Sequence, residues 1–413
     1  MNISLKDRET LRMLASRYMS YALSEENDEK RELWKKLNAL NMQKPLITIH
    51  QVPWQEMDVD GFLQCTVTDP YFRKVENELR RQIYSWEHMR ADMVLNPYIS
   101  IPRPIRNTGF GISTIRANHE QKRNAESFLF EDQLAEEEDV DKIKTPVLTL
   151  DRREEADLLS LATDIFEGIA PVRLRGIMLH SGLWDQISFW KGVENCYMDL
   201  LDRPELIHAI LTRYTDAFLA QIDQINELGV YDVTSNLCHC SHTFSDRPLQ
   251  GDFDEAHPTT RDGWTFSMAQ LFTSVSPSVN EEFEVPYMTK IFSRFGSVYY
   301  GCCERLDDRL HIIDRMPNIR KISCSPWSDR ERFASVLPKK YVMSAKPTPA
   351  FLAQRSFDEE VVRNDLRKTI AAAKSNGLSL ELLLKDITTV KCDPARLWRW
   401  AEIATEETLN SVL

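Results

Sequence analysis

Pro204 to Thr234 reads PELIHAILTRYTDAFLAQIDQINELGVYDVT, and its two parts carry different periods. Up to Leu228, apolar residues recur at Ile207, Ile210, Leu211, Tyr214, Phe218, Ile222 and Ile225, the spacing of one face of an α-helix. Pro204 suits a first helical turn and Gly229 a helix stop. Val230-Tyr231-Asp232-Val233-Thr234 then forms a short β-branched and aromatic run that reads as a strand, ended by Ser235-Asn236. A long helix feeding directly into a buried strand is the repeating unit of a parallel sheet.

The same alternation extends in both directions. Strand-like segments fall at Leu46–His50, Ala91–Asn96, Leu174–His180, Val230–Thr234, Ser297–Tyr300, Ile319–Ser323, Tyr341–Ser344 and Leu380–Asp386, with helical stretches between them. A Ser356-x-x-Glu359 box is read as starting the helix before the last strand, and Gly377 as ending it. Eight such units predict an α/β fold, a (β/α)₈ TIM barrel, with an open doubly wound sheet as the other arrangement. A barrel of this kind needs about 250 residues. The surplus is assigned to an N-terminal helical extension, residues 1–44, and to an insertion at about 102–171 before the third strand, with the barrel spanning 45–413. The extension opens at Ser4-x-x-Asp7, which resembles a capping box. No G-x-G-x-x-G or G-x-x-x-x-G-K-[ST] follows any strand, so no nucleotide cofactor is expected.

The chain has 413 residues, 42% of them hydrophobic, which suits a globular protein. Sixty-three acidic against 51 basic residues give a formal charge of -12, which repels nucleic acid. Met1 to Asp7 carries no charged-then-apolar leader, and apolar runs stay far below the ~20 residues of a membrane span, so a cytoplasmic protein without membrane contact is expected. Eight cysteines are too sparse for a disulfide scaffold and are expected as thiols.

In a barrel, chemistry sits just past the C-terminal ends of strands. Those ends read His50, Asn96 to Tyr98, His180, Asn236 to His242, Cys302-Cys303-Glu304, Cys324, Lys346 and Lys385-Asp386. Four of the nine histidines and five of the eight cysteines fall there. Each has a plain structural alternative: unpaired cysteines pack as small hydrophobes, strand-end histidines bond to neighbouring loops, and Lys385-Asp386 is a simple ion pair. Cys238-His239-Cys240-Ser241-His242 matches no standard structural zinc spacing. The chemical reading is that thiolate and imidazole from different strands hold Zn²⁺ with one position open, Glu304 serving as ligand or anchor. Zinc of that kind activates a bound thiol.

Several stretches together resemble the uroporphyrinogen decarboxylase superfamily, which includes the methylcobamide:coenzyme M methyltransferases. They are Gly176–His180 through Arg203-Pro204-Glu205, Gly229–Asn236, Ser276-Pro277 with Tyr287, Ile322–Trp327, and Asp393-Pro394-Ala395-Arg396-Leu397. The resemblance covers more than half of the chain. The methyltransferases carry H-x-C where this chain has Gly301-Cys302-Cys303, so Cys303 matches the zinc cysteine and Gly301 replaces the histidine. Their later cysteine falls near Asp386. The decarboxylase segment R-Q-A-G-R-Y falls near Ile49–Trp54 without its arginines, and its pocket aspartate near Asn96 or Tyr98.

The resemblance implies a corrinoid-linked methyltransferase that moves a methyl group between a small methylated compound or thiol and a cobalamin-type carrier, with zinc assistance. Cys303, Glu304, His239 and Asp386 are the expected catalytic residues, with Cys303, His239 and Glu304 as metal ligands. His50, Asn96, His180, Asn236 and Lys385 are expected to bind substrate. A corrinoid protein and a second copy of the chain are the partners this reading admits. One alternative is a decarboxylase that holds carboxylates with Lys385, Lys346 or Arg305. Another is a non-catalytic member that binds a corrinoid or partner.

Overall fold

The computed structural model describes residues 3–117, 129–245 and 253–411. Eight of its strands organise the fold: β1 (Leu46–Ile49), β2 (Ile99–Pro102), β3 (Val172–Arg175), β4 (Trp264–Ser267), β5 (Ser297–Tyr300), β6 (Ile319–Cys324), β7 (Val342–Ala345) and β8 (Ser379–Leu384). Six pair in parallel in the order β1-β8-β7-β6-β5-β4, an open arc with helices outside it. β2 and β3 form a separate parallel pair, which closes the base of the 102–171 excursion. The segment after β3 pairs with the arc by a single parallel bridge, His180 to Phe266, and Ile177 bridges to Tyr231. The structure is thus a partial barrel, and a full eight-stranded closure is not seen among the described residues.

Three differences from the sequence reading explain this. Ala91–Asn96 is irregular: Ala91 sits at φ 39°, and the Asp92 carboxylate accepts the Ile47 N–H at 2.9 Å, taking a bond a neighbouring strand would make. Val230–Thr234 contributes only the Tyr231 bridge, because the Asp232 carboxylate accepts from the Thr234 N–H and hydroxyl and bends the chain. β4 was not expected at all. It is four residues, Trp264-Thr265-Phe266-Ser267, between Gly263 and an irregular turn, too short to show a period.

Helix boundaries follow capping chemistry. Ser4 Oγ accepts the Asp7 N–H as expected, but Asp7 itself turns to Thr68, accepting its hydroxyl at 2.6 Å. The helix Glu359–Ser375 is capped by Asp358, whose carboxylate takes two N–H groups, and not by Ser356. Gly377 follows its end at φ 64°. The Leu5–Ala22 helix buries Leu11, Leu14 and Tyr18 against Pro70–Met89 and Arg152–Phe166 in a core of their own. No described helix is long and apolar enough to cross a membrane.

The sheet is buried on both faces, with residues alternating between them. Val298, Tyr300, Ile322, Met343, Leu380 and Leu382 pack outward under the helices. Trp264, Phe266, Tyr299 and Leu383 pack inward. The same inner face carries Lys321 and Glu381, both fully buried and 2.8 Å apart. Lys321 also donates to Ser241 Oγ and the His242 carbonyl, and burial holds its amine below the ordinary range. On the outer face, the Tyr300 hydroxyl donates to Glu284 at 2.8 Å.

Removing one member of a buried pair strands the other. Lys321→Met is expected to cost ~3–5 kcal/mol in urea unfolding, and Lys321→Met with Glu381→Leu less than the sum of the single changes. Burial pushes Glu284 up from 4.5 to about 8. The stability from its neutral form is fully present below 4.5 and lost as pH rises through about 8, so thermal stability should fall across that window. Glu284→Gln should flatten the fall.

Candidate active site

The cluster of interest lies past the C-terminal ends of β5 and β8, opposite a tight hairpin. β5 ends in a turn at Gly301, φ 91°, where a Cβ would lie 2.6 Å from Leu306 Cδ1 and 3.0 Å from Ser323 Cβ. A side chain there would meet both neighbours and sit in the left-handed region that favours glycine. The turn delivers Cys302, Cys303 and Glu304. The hairpin pairs Leu237–Cys238 with Ser241–His242 and lifts His239, at φ 55°, to stack on Phe266 with ring centroids 3.9 Å apart. β8 ends in Lys385 and then Asp386 at φ 56°.

These elements converge on one sulfur. Lys385 Nζ lies 2.8 Å from Cys302 Sγ and 3.2 Å from His239 Nε2. Cys303 Sγ is 3.6 Å from Cys302 Sγ and donates to Asp386 Oδ2 at 3.3 Å. Asp386 pairs with Lys385 at 3.2 Å. Beneath, the buried Lys346 amine donates to the Tyr299 hydroxyl at 3.1 Å and to Ser323 Oγ, which in turn donates to the Cys302 carbonyl.

The electrostatics follow. Hydrogen bonding from Cys303, with His239, Lys346 and Lys385 adding to it against the cost of burial, holds the Cys302 thiol well below its ordinary range. Cys303, which shares its proton toward that sulfur, is pushed above it. Burial alone would lower the Lys385 amine, but the anionic sulfur more than offsets this and raises it. Lys346 is lowered by burial. A thiolate held by an ammonium is the arrangement of a reactive cysteine.

Of the residues named from sequence, His239, Cys303, Lys385 and Asp386 gather around Cys302. Glu304 lies below them, its carboxylate accepting the N–H of Cys302 at 2.8 Å and of Ala269 at 3.2 Å, so it holds the turn. His180 is exposed at the rim, its ring 6.0 Å from that of His239. Asn96 and Asn236 bond to each other at 3.0 Å. His50 and Asn96 line a separate cavity of about 260 Å³ with Gln51, Trp54, Arg81 and Ser235. Burial holds His50 near about 4, and thus neutral. This cavity adjoins the cluster through Gln51, which accepts the Asp386 N–H at 3.0 Å. Arg81 stacks on Trp54, and no carboxylate is among the described lining. Cys238, Cys240 and Cys324 are buried packing residues, and His242 accepts the Val94 N–H.

The fit to zinc is poor. Among the described residues, no three histidine, cysteine or acidic side chains are grouped so as to hold a metal ion. The Lys385 ammonium already contacts both the Cys302 sulfur and the His239 imidazole, which lie 4.0 Å from each other, and Glu304 is turned to backbone amides.

Cys302 and Lys346 stand among the strand-end residues read from sequence, Lys346 also as a carboxylate holder in the decarboxylase alternative, but Cys302 was given no role of its own, and Tyr299 and Ser323 were not read as site residues. The signal for Ser323 is polar residues at every second position of an otherwise apolar run, Lys321-Ile322-Ser323, which places it on the inner face.

A titration of the ultraviolet thiolate absorbance, as wild type minus Cys302→Ser, should show a sulfur already ionised at neutral pH. Lys385→Met should move that titration toward the ordinary thiol range of ~8.5.

No family model matches the chain, and no curated protein matches it. Among solved structures it is similar to a methyltransferase from Methanosarcina mazei, at 12% sequence identity and a TM-score of 0.48, over 91% of this chain and 97% of that one. A likeness of that degree assigns neither family nor activity.

Proposed function

We propose that the protein is a methyltransferase acting on small molecules, with the Cys302 sulfur as the nucleophile and a corrinoid as the methyl carrier that the sequence resemblance suggests. One observation carries the reading: an ammonium 2.8 Å from a thiol sulfur, past the C-terminal ends of parallel strands.

The sulfur attacks a methyl carbon in a single displacement. A carbon–sulfur bond forms, and the bond from that carbon to its leaving group breaks with the electron pair going to the leaving group. Lys385 holds the sulfur anionic until attack, and Glu304 fixes the turn that aims it. His239, neutral and stacked on Phe266, faces the same sulfur and positions Lys385. A second nucleophile, such as a small thiolate, takes the methyl group and restores the Cys302 thiolate. The 260 Å³ cavity, with one guanidinium and no carboxylate in its described lining, suits a small substrate bearing negative charge.

Zinc assistance by Cys303, His239 and Glu304 would require Lys385 to withdraw and Glu304 to leave its backbone amides. For the decarboxylase alternative, Arg305 is paired with Asp307 at 3.0 Å and Lys385 with the sulfur, leaving Lys346 as the remaining amine.

Anaerobic incubation with methylcobalamin, followed by peptide mass spectrometry, tests the reading. Wild type should gain one methyl group on Cys302, Cys302→Ser none, and Lys385→Met should react on the order of 10- to 100-fold more slowly as its thiolate fraction falls. Equal methylation of wild type and Cys302→Ser would overturn it.

A further inference from the structure

Cys302 and Cys303 are neighbours in the chain whose sulfurs lie 3.6 Å apart, a spacing that simple packing does not require. We propose that they are a site of reversible oxidation, closing to a vicinal disulfide when the protein meets a hydroperoxide.

The geometry supports this. The distance from 3.6 Å to the ~2.05 Å of an S–S bond is within reach of side-chain rotation. Lys385 at 2.8 Å favours the anionic form of Cys302, the form that attacks peroxide oxygen. Asp386, exposed at the mouth, accepts from Cys303 at 3.3 Å and so stands ready to take its proton. Cys303 is only partly buried and lies over the buried Cys302, so the pair borders the mouth, whereas Cys238, Cys240 and Cys324 are sealed in the core.

The chemistry balances in two steps. The Cys302 sulfur attacks one oxygen of hydrogen peroxide; a sulfur–oxygen bond forms, the O–O bond breaks, and hydroxide leaves, giving the sulfenic acid. Cys303 sulfur then attacks Cys302 sulfur, the S–S bond forms, and the sulfenic oxygen departs as water, with the Cys303 proton passing by way of Asp386. Two thiol sulfurs are oxidised by two electrons and one peroxide is reduced. The resulting eight-membered ring includes the peptide bond between the two residues and is strained, so small thiols reduce it readily. Closure also removes the negative charge facing Lys385, which keeps Asp386 at 3.2 Å.

That oxidation silences methyl transfer rests on the proposed function; formation of the disulfide does not. The test treats the full chain with equimolar hydrogen peroxide, blocks free thiols with N-ethylmaleimide, and analyses the peptide holding both residues. The expected result is loss of two hydrogens without alkylation, fully reversed by dithiothreitol. Cys303→Ser, shown to be folded by circular dichroism, should instead leave a sulfenic acid at Cys302 that dimedone traps. Both thiols remaining open to N-ethylmaleimide after peroxide, or wild type passing to the sulfinic acid as fast as Cys303→Ser, would overturn the proposal. So would disulfides only between chains. Each readout is a mass, so a protein that never transfers a methyl group still decides the question.

Discussion

The Lys385 ammonium and the Cys302 sulfur, 2.8 Å apart, impose the condition on which the rest of the site depends. A lysine this buried, 2% exposed, is costly unless an anion faces it. Asp386 lies beside it but is itself largely in water, so the deeper partner is the sulfur. Each charge justifies the other, and the surrounding groups serve that pairing. Glu304 ties the turn that carries Cys302, Cys303 lies 3.6 Å from the same sulfur, and the stacked His239 contacts both the amine and the sulfur.

Below this pair the inner face of the sheet is unusually polar. Lys321 meets Glu381, and Lys346 donates to the hydroxyls of Tyr299 and Ser323. A purely apolar interior would be easier to fold. Lys346, buried without a carboxylate partner in contact, adds positive potential toward Cys302 and helps explain why that sulfur and not Cys303 bears the charge. The outer face, in contrast, is largely hydrocarbon under the helices, apart from the buried Tyr300–Glu284 bond, and supplies the burial that offsets these polar groups.

Much of this was legible in the sequence. The runs at 46–49, 297–300, 319–324, 342–345 and 379–384 are apolar and bounded by turns, and they form five of the six strands of the arc. What misled was local chemistry that competes with a strand. Asp92 and Asp232 use their carboxylates on nearby N–H groups, so Ala91–Asn96 and Val230–Thr234 look extended in composition but do not pair as strands. Trp264–Ser267 failed in the opposite sense, since four residues carry no period and only their register with Ser297–Tyr300 identifies them. At the site, the strand-end rule pointed to the turns that gather around Cys302. It could not show that Glu304 faces backbone, that Asn96 and Asn236 satisfy each other, or that a lysine occupies the place expected for a metal, because all three depend on side-chain direction.

The claim that Cys302 is ionised against Lys385 is tested most directly by infrared difference spectroscopy in the thiol S–H stretching region, comparing the reduced wild type with Cys302→Ser at neutral pH. No S–H band should be lost on substitution, because the wild-type sulfur carries no proton. Disappearance of an S–H band in Cys302→Ser would contradict it.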